Sequence, residues 1–163
     1  LLALAHKGLE TARYRFAAAD LTKTGRWTAA IGSGEQFDTV LCFATLHHIP
    51  SAHARLELVT AVHMLLRPGG RFIHSHWQFL NSEKLRARIQ PWESVAIPAG
   101  AVEEGDYLLD WRGSQGHGLR YVHQASEADL AALAAQGEFE VMETFYADGQ
   151  GGRLGLYQVW ERP

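Results

Sequence analysis

Cysteine is almost absent: Cys42 is the sole example in 163 residues. That excludes a disulfide framework and any multi-cysteine zinc site, and makes a reducing cytoplasm the expected setting. Long apolar runs are missing too. None approaches the roughly 20 residues needed to cross a bilayer, so no membrane partner is expected. Nor is one sign of charge in excess, since 15 Lys and Arg face 18 Asp and Glu for a net charge of −3. This balance excludes broad, non-specific attachment to nucleic-acid phosphates, which needs clustered Lys and Arg, and leaves room for a local basic patch. What is present is a 47% hydrophobic composition, enough for one compact core and too short a chain for two.

Leu1 to Leu9 carries Leu1, Leu2, Ala5 and Leu9 at close to helical spacing and lacks a basic leader or cleavage pattern, so it reads as the tail of a helix. Tyr14 to Ala18 predicts a short strand ending at Asp20 and Leu21. Phe37 to Leu46 is nearly continuous apolar sequence, as in a central parallel strand covered on both faces. Ala52 to Leu66 places Leu58, Val59, Val62, Leu65 and Leu66 on one helical stripe, and Arg67, Pro68, Gly69 and Gly70 break it. Arg71 to Trp77 predicts a strand with Phe72, His74 and His76 on one face. Strand, helix and strand in close succession imply a right-handed parallel crossover.

Leu80 to Ile89 predicts a basic helix, followed by an irregular stretch through Gly118 whose Trp92, Tyr107 and Trp111 favour an ordered cover. A short strand is expected at Tyr121 to His123. Ser126, with Asp129 three residues on, resembles an N-cap leading a helix to Gly137. Phe139 to Tyr146 and Leu154 to Glu161 read as an antiparallel pair across the turn ADGQGGR. The expected architecture is α/β, a mostly parallel sheet with a reversed edge strand, in a single domain over residues 1–163 with a cover inserted at about 80–124.

The blocks FDTVLCFATLHHIP and LLRPGGRFIHSHW, on either side of a helix, resemble the fourth strand, next helix and fifth strand of the Rossmann-like methyltransferases that use S-adenosylmethionine. AADL at Ala18 to Leu21 is similar to the end of that family's third strand. Within it, the nearer likeness is to the enzymes that methylate the carboxymethyl group on the wobble uridine of tRNA. LHHI at Leu46 to Ile49, HWQF at His76 to Phe79, GDYLLDW at Gly105 to Trp111 and RYVH at Arg120 to His123 carry it, with Asp110 where that pattern has Pro and Val122 where it has Tyr. The family's glycine-rich turn after strand one and the acid ending strand two do not occur here. Leu1 to Leu9 resembles the helix after strand two. The first two strands, which lie between strands three and four in the order 3-2-1-4-5-7-6, are therefore expected to be missing from a protein roughly 80 to 100 residues longer.

The resemblance implies S-adenosylmethionine as cofactor. Asp20 and Leu21 are expected at the adenine ring, with Phe43, Ala44 and Thr45 lining the cofactor through backbone and apolar contact. A carboxylate-bearing acceptor follows, in its specific form a tRNA, and family likeness alone adds a small activator protein. Because a carboxylate nucleophile is already ionised at neutral pH, no catalytic base is assigned. A clamp is needed instead: Arg120 forks onto the anion and Tyr121 donates one more bond. His48, Trp77, Trp111 and His123 complete the expected substrate side. The competing reading pairs Arg120 with Asp106 or Asp110 and buries Tyr121 in the core. No metal is expected, because His74, His76 and His123 have no carboxylate or thiol at a supporting spacing. Two other readings stand beside this one: methyl transfer to a small-molecule acid, and a non-catalytic interaction module.

Overall fold

The structure, a computed structural model, describes residues 14–31, 34–113 and 116–163; the helix expected at Leu1 to Leu9 lies outside them. After helix α1 (Thr24–Ile31) come β1 (Phe37–Cys42), α2 (Ala52–Leu65) and β2 (Leu66–Trp77). Ser51 caps α2, its hydroxyl accepting from the Ala54 amide at 3.2 Å. Leu58, Val59, Ala61 and Val62 turn inward. β1 and β2 pair in parallel, the relation expected of a strand, helix, strand crossover. The PGG segment does not precede β2 but forms an irregularity within it: partners jump from Phe37↔Leu66 to Thr39↔Arg71. Gly69 makes this possible with φ +76°, and its amide donates to the Arg162 carbonyl at 2.7 Å.

Two strands close the sheet, β6 (Glu140–Ala147) and β7 (Gly155–Glu161), in the order β1-β2-β7-β6. This is the 4-5-7-6 run of the resembling family. The reversed strand is β7, one place in from the edge, antiparallel to both β2 and β6. Helix α4 (Glu127–Gln136) begins with the expected capping box of Ser126 and Asp129 and packs with α2 over Phe72, Phe139 and Trp160. Its end comes so close to α2 that a Cβ on Gly137 would lie 2.5 Å from Val59 Cγ1. Gly137→Ala should therefore cost about 1–3 kcal/mol by overpacking, read as a lower denaturant midpoint at unchanged slope.

Four expectations are corrected. Tyr14 to Ala18 forms no strand, because no described strand lies alongside to complete a ladder. β1 is not covered on both faces, Leu41 being 61% exposed, and among the described residues it also pairs only with β2, leaving an open edge. The basic helix shrinks to α3 (Glu83–Arg86), since β3 (Ile89–Gln90) is drawn into pairing with Leu109 and Leu108. Those leucines belong to β4 (Asp106–Gly113), which with β5 (Gly116–His123) turns the supposedly irregular stretch into a second, three-stranded antiparallel sheet. No described helix is long and apolar enough to cross a membrane.

Candidate functional site

Parallel β1 and β2 end side by side, and antiparallel β7 begins there, so three chain segments converge at the carboxyl ends of the parallel strands. Open α/β sheets bind ligands at this end. A cavity of about 370 Å³ opens here, bordered by Phe43 and Ala44, by Ser75 and Trp77, by Gly155 and Tyr157, and by Arg120 from β5. Ala44 adopts a left-handed φ of 49°, costly for a residue with a Cβ. Its amide donates to Ser75 Oγ at 3.0 Å. Thr45 Oγ1 donates to the Phe43 carbonyl at 2.9 Å, tightening the same turn. Leu46–His48 then forms one 3-10 turn, which brings His47 and His48 to the cavity wall.

Hydrogen bonding assigns both imidazole protons. His47 Nδ1 accepts from the Trp77 amide at 3.1 Å, so the neutral ring carries its proton on Nε2. His48 Nδ1 lies 2.9 Å from the Tyr121 carbonyl, which only accepts, so Nδ1 is the protonated nitrogen. Behind them, His74 Nδ1 and His76 Nε2 share a bond of 3.0 Å. Burial, followed by the neighbouring His48 and Arg120 charges, lowers His47 from 6.5 to about 3. Burial alone lowers His74 to about 3, and burial drives His76 well below 6.5. All three are neutral bases in the folded protein.

Arg120 supplies the positive charge. Its guanidinium carbon sits 4.6 Å from the centre of the Trp77 ring, a cation–π contact. Among the described residues no carboxylate pairs with it. Its Nε is buried without a hydrogen-bond partner, and burial followed by repulsion from Arg88 pushes its pKa down. A partly desolvated guanidinium beside an apolar wall, with no carboxylate partner among the described residues, is chemically able to take an anion.

The structure brings Phe43, Ala44, His48, Trp77 and Arg120 together and leaves the other expected residues elsewhere. Asp20 is exposed in an Asx turn, its Oδ1 accepting from the Thr22 amide and hydroxyl at 3.0 and 2.6 Å. Leu21 packs on the core. Neither borders the cavity, because the segment before them joins no strand that would carry them to it. Thr45 holds its turn rather than the cavity wall. Trp111 lies on the outer part of β4, 41% exposed and opposite Gly118. Tyr121 alternates to the face opposite Arg120, donating to Asp106 Oδ1 at 2.6 Å and accepting from Arg55 at 3.2 Å. His123 Nδ1 meets the same Asp106 oxygen at 2.8 Å and faces a second cavity. Thus Asp106 pairs with Tyr121 and not with Arg120.

Ser75, Tyr157 and Asp148 were not foreseen as site residues. The signal for Ser75 was its place near the end of a strand that alternates inward and outward. Tyr157 sits opposite it only through the β2–β7 register, and the Tyr157 hydroxyl donates to Asp148. Glu103, Asp106 and His123 gather their donor atoms within 4.8 Å of one another. They do not fit a cation: Glu103 is held by Arg55 at 2.7 Å and by the Ala52 amide at 2.8 Å, and Asp106 accepts three bonds.

Residues 3–74 match the family model described as a methyltransferase domain. No curated protein matches the chain. Among solved structures, an S-adenosylmethionine-dependent methyltransferase from Clostridium acetobutylicum aligns with 98% of this chain and 68% of its own, at 12% identity and a TM-score of 0.64. One from Methanosarcina mazei aligns with 91% and 66%, at 20% identity and a TM-score of 0.62. The glycopeptide N-methyltransferase MtfA, complexed with S-adenosyl-L-homocysteine, aligns with 99% and 69%, at 17% identity and a TM-score of 0.64. The chain thus spans about two thirds of the length of these structures. Its fold is the Rossmann-like methyltransferase fold.

Proposed function

We propose that the chain forms part of an S-adenosylmethionine-dependent methyltransferase whose acceptor is an acid. One observation carries the reading: Arg120, without a carboxylate partner among the described residues, is laid on Trp77 at the wall of the cavity where the strands end. The residues present fit the cofactor on its near side. Phe43 and the Ala44 backbone, turned left-handed at the end of β1, offer the apolar and main-chain surface that a ligand crossing the strand ends would use. The cofactor supplies an activated methyl group. Arg120 orients the anion, and the aromatic walls of Phe43, Trp77 and Tyr157 exclude water from an in-line displacement.

In its finer form, the carboxylate itself takes the methyl group to give an ester, without a base. The carboxymethyl group of a tRNA wobble uridine is the acceptor favoured by the LHHI, HWQF, GDYLLDW and RYVH elements, of which His48, Trp77 and Arg120 meet in the cavity. The acidic balance of the chain favours a small-molecule acid. Calorimetric titration with S-adenosylhomocysteine tests the cofactor, and absence of binding would defeat the reading. Arg120→Ala should leave that affinity within about threefold and lower turnover at least about tenfold, the effect of losing a charged hydrogen bond of roughly 1.5–3 kcal/mol. Unchanged turnover would remove Arg120 from the mechanism.

A further inference from the structure

We propose a second activity for this cavity: methyl transfer to a hydroxyl or amino group of an acid held by Arg120, with His48 Nε2 as the proton acceptor. The inference rests on the methyltransferase reading above and extends it from carboxylates to protic nucleophiles. Methylating a carboxylate releases no proton, so an unoccupied basic nitrogen at the cavity wall has no task in that reaction.

His48 offers such a nitrogen. Because Nδ1 donates to the Tyr121 carbonyl, the neutral ring presents its lone pair on Nε2, which has no hydrogen-bond partner among the described residues and is not sealed from solvent. The carbonyl that pins the ring belongs to the residue after Arg120, so β5 fixes base and anion clamp relative to each other. His47 is complementary: its Nδ1 is taken by the Trp77 amide, leaving Nε2–H as a donor at the same wall, with ring centres 4.3 Å apart.

Arg120 and His48 line one cavity, so the base serves acceptors that carry their own anion for Arg120 to hold, such as hydroxy acids and amino acids. As the nucleophile's lone pair forms the new O–C or N–C bond, the S–C electron pair stays with sulfur, the sulfonium becomes a neutral thioether, and the nucleophile's proton passes to His48 Nε2. Proton transfer to a positioned base contributes about 10²–10⁴-fold to such steps.

Nitrogen-15 NMR of the full chain, with His48 assigned by loss of its signals in His48→Gln, tests the base without the cofactor. The free protein should show the Nδ1–H form of His48. Among the three hydroxybenzoates, the best isomer should bind at least about fivefold tighter than benzoate or its own methoxy analogue, as for one added hydrogen bond, and should shift Nε2. An Nε2–H form, or equal binding of the three acids, would overturn the proposal. With S-adenosylmethionine, the hydroxybenzoate should also yield an alkali-stable methyl ether. His48→Gln keeps a donor for the Tyr121 carbonyl without a basic lone pair, and should lower the ratio of alkali-stable to alkali-labile product about 100-fold. Added imidazole should restore the alkali-stable product in His48→Gly. Only alkali-labile ester from wild type would overturn the second activity. Failure to bind S-adenosylhomocysteine would defeat the methyltransferase reading instead, and the tautomer and acid titration would then decide whether His48 is a cavity base.

Discussion

Below about pH 6.5 the protein should lose stability steeply, and the cause is three imidazoles that the fold keeps neutral. Burial holds His47 and His74 at about 3 and His76 well below 6.5. In the unfolded chain each would take up a proton near 6.5, so the unfolded state binds more protons and gains on the folded state as the pH falls. The loss begins near 6.5 and continues to about 3 for His47 and His74, and further for His76. Each contributes about 1.4 kcal/mol per pH unit, or about 4 kcal/mol per unit for the three. Domains of this size are stable by only about 5–15 kcal/mol. Urea unfolding between about pH 7.5 and 5 should therefore show the midpoint collapsing, with His74→Phe reducing the slope by about a third. A flat profile would mean that these rings charge freely inside the folded protein.

The second large effect is expected at Asp106, which is outside the proposed cavity but ties its cover down. The carboxylate is 5% exposed and accepts from the Tyr121 hydroxyl, His123 Nδ1 and the Glu103 amide. Arg55, from α2, joins the Tyr121 hydroxyl to Glu103, so the second sheet is fastened to the first through one charged network. Burial, followed by the Asp106 hydrogen bond and charge, raises the Tyr121 pKa and keeps the phenol a donor. Asp106→Ala should cost about 3–5 kcal/mol, because it leaves the Tyr121 hydroxyl, His123 Nδ1 and the Glu103 amide without their acceptor. Tyr121→Phe removes two bonds, the one that Arg55 donates and the one to Asp106, and should cost about 1.5–3 kcal/mol. The two losses should fall well short of additive in a double-mutant cycle, since the residues share that bond. Thermal unfolding of the four proteins decides this, and additive losses would mean that the network does not act as a unit.

Part of this arrangement was legible in the chain. The stripe of Leu58, Val59 and Val62 announced α2, the Ser126 and Asp129 pair announced the start of α4, and the turn ADGQGGR separated the last two strands. β4 was hidden because Leu108 and Leu109 are adjacent and both buried, at 5% and 0%. A strand covered on both faces at its middle shows no alternation to read. The basic helix was overextended because helix propensity at Leu80 to Ile89 is a local quantity, whereas the pairing of β3 with β4 is not. Within RYVH, alternation along β5 separates Arg120 from Tyr121, and only the identity of the packed neighbours says which faces the cavity.

The amino-acid order by itself determined the α/β class and which residue types were available for chemistry: an arginine, paired histidines and aromatics at the ends of strands. Local periodicity and capping are written in consecutive residues. The tertiary structure alone decided that Arg120 lies on Trp77 with no carboxylate among the described residues, that His47 and His48 present opposite hydrogen-bonding atoms, and that Asp20 and Trp111 stand apart. Those outcomes depend on strand register and on which main-chain groups face each side chain. Both are set by contacts between segments far apart in the chain, which spacing along it does not record.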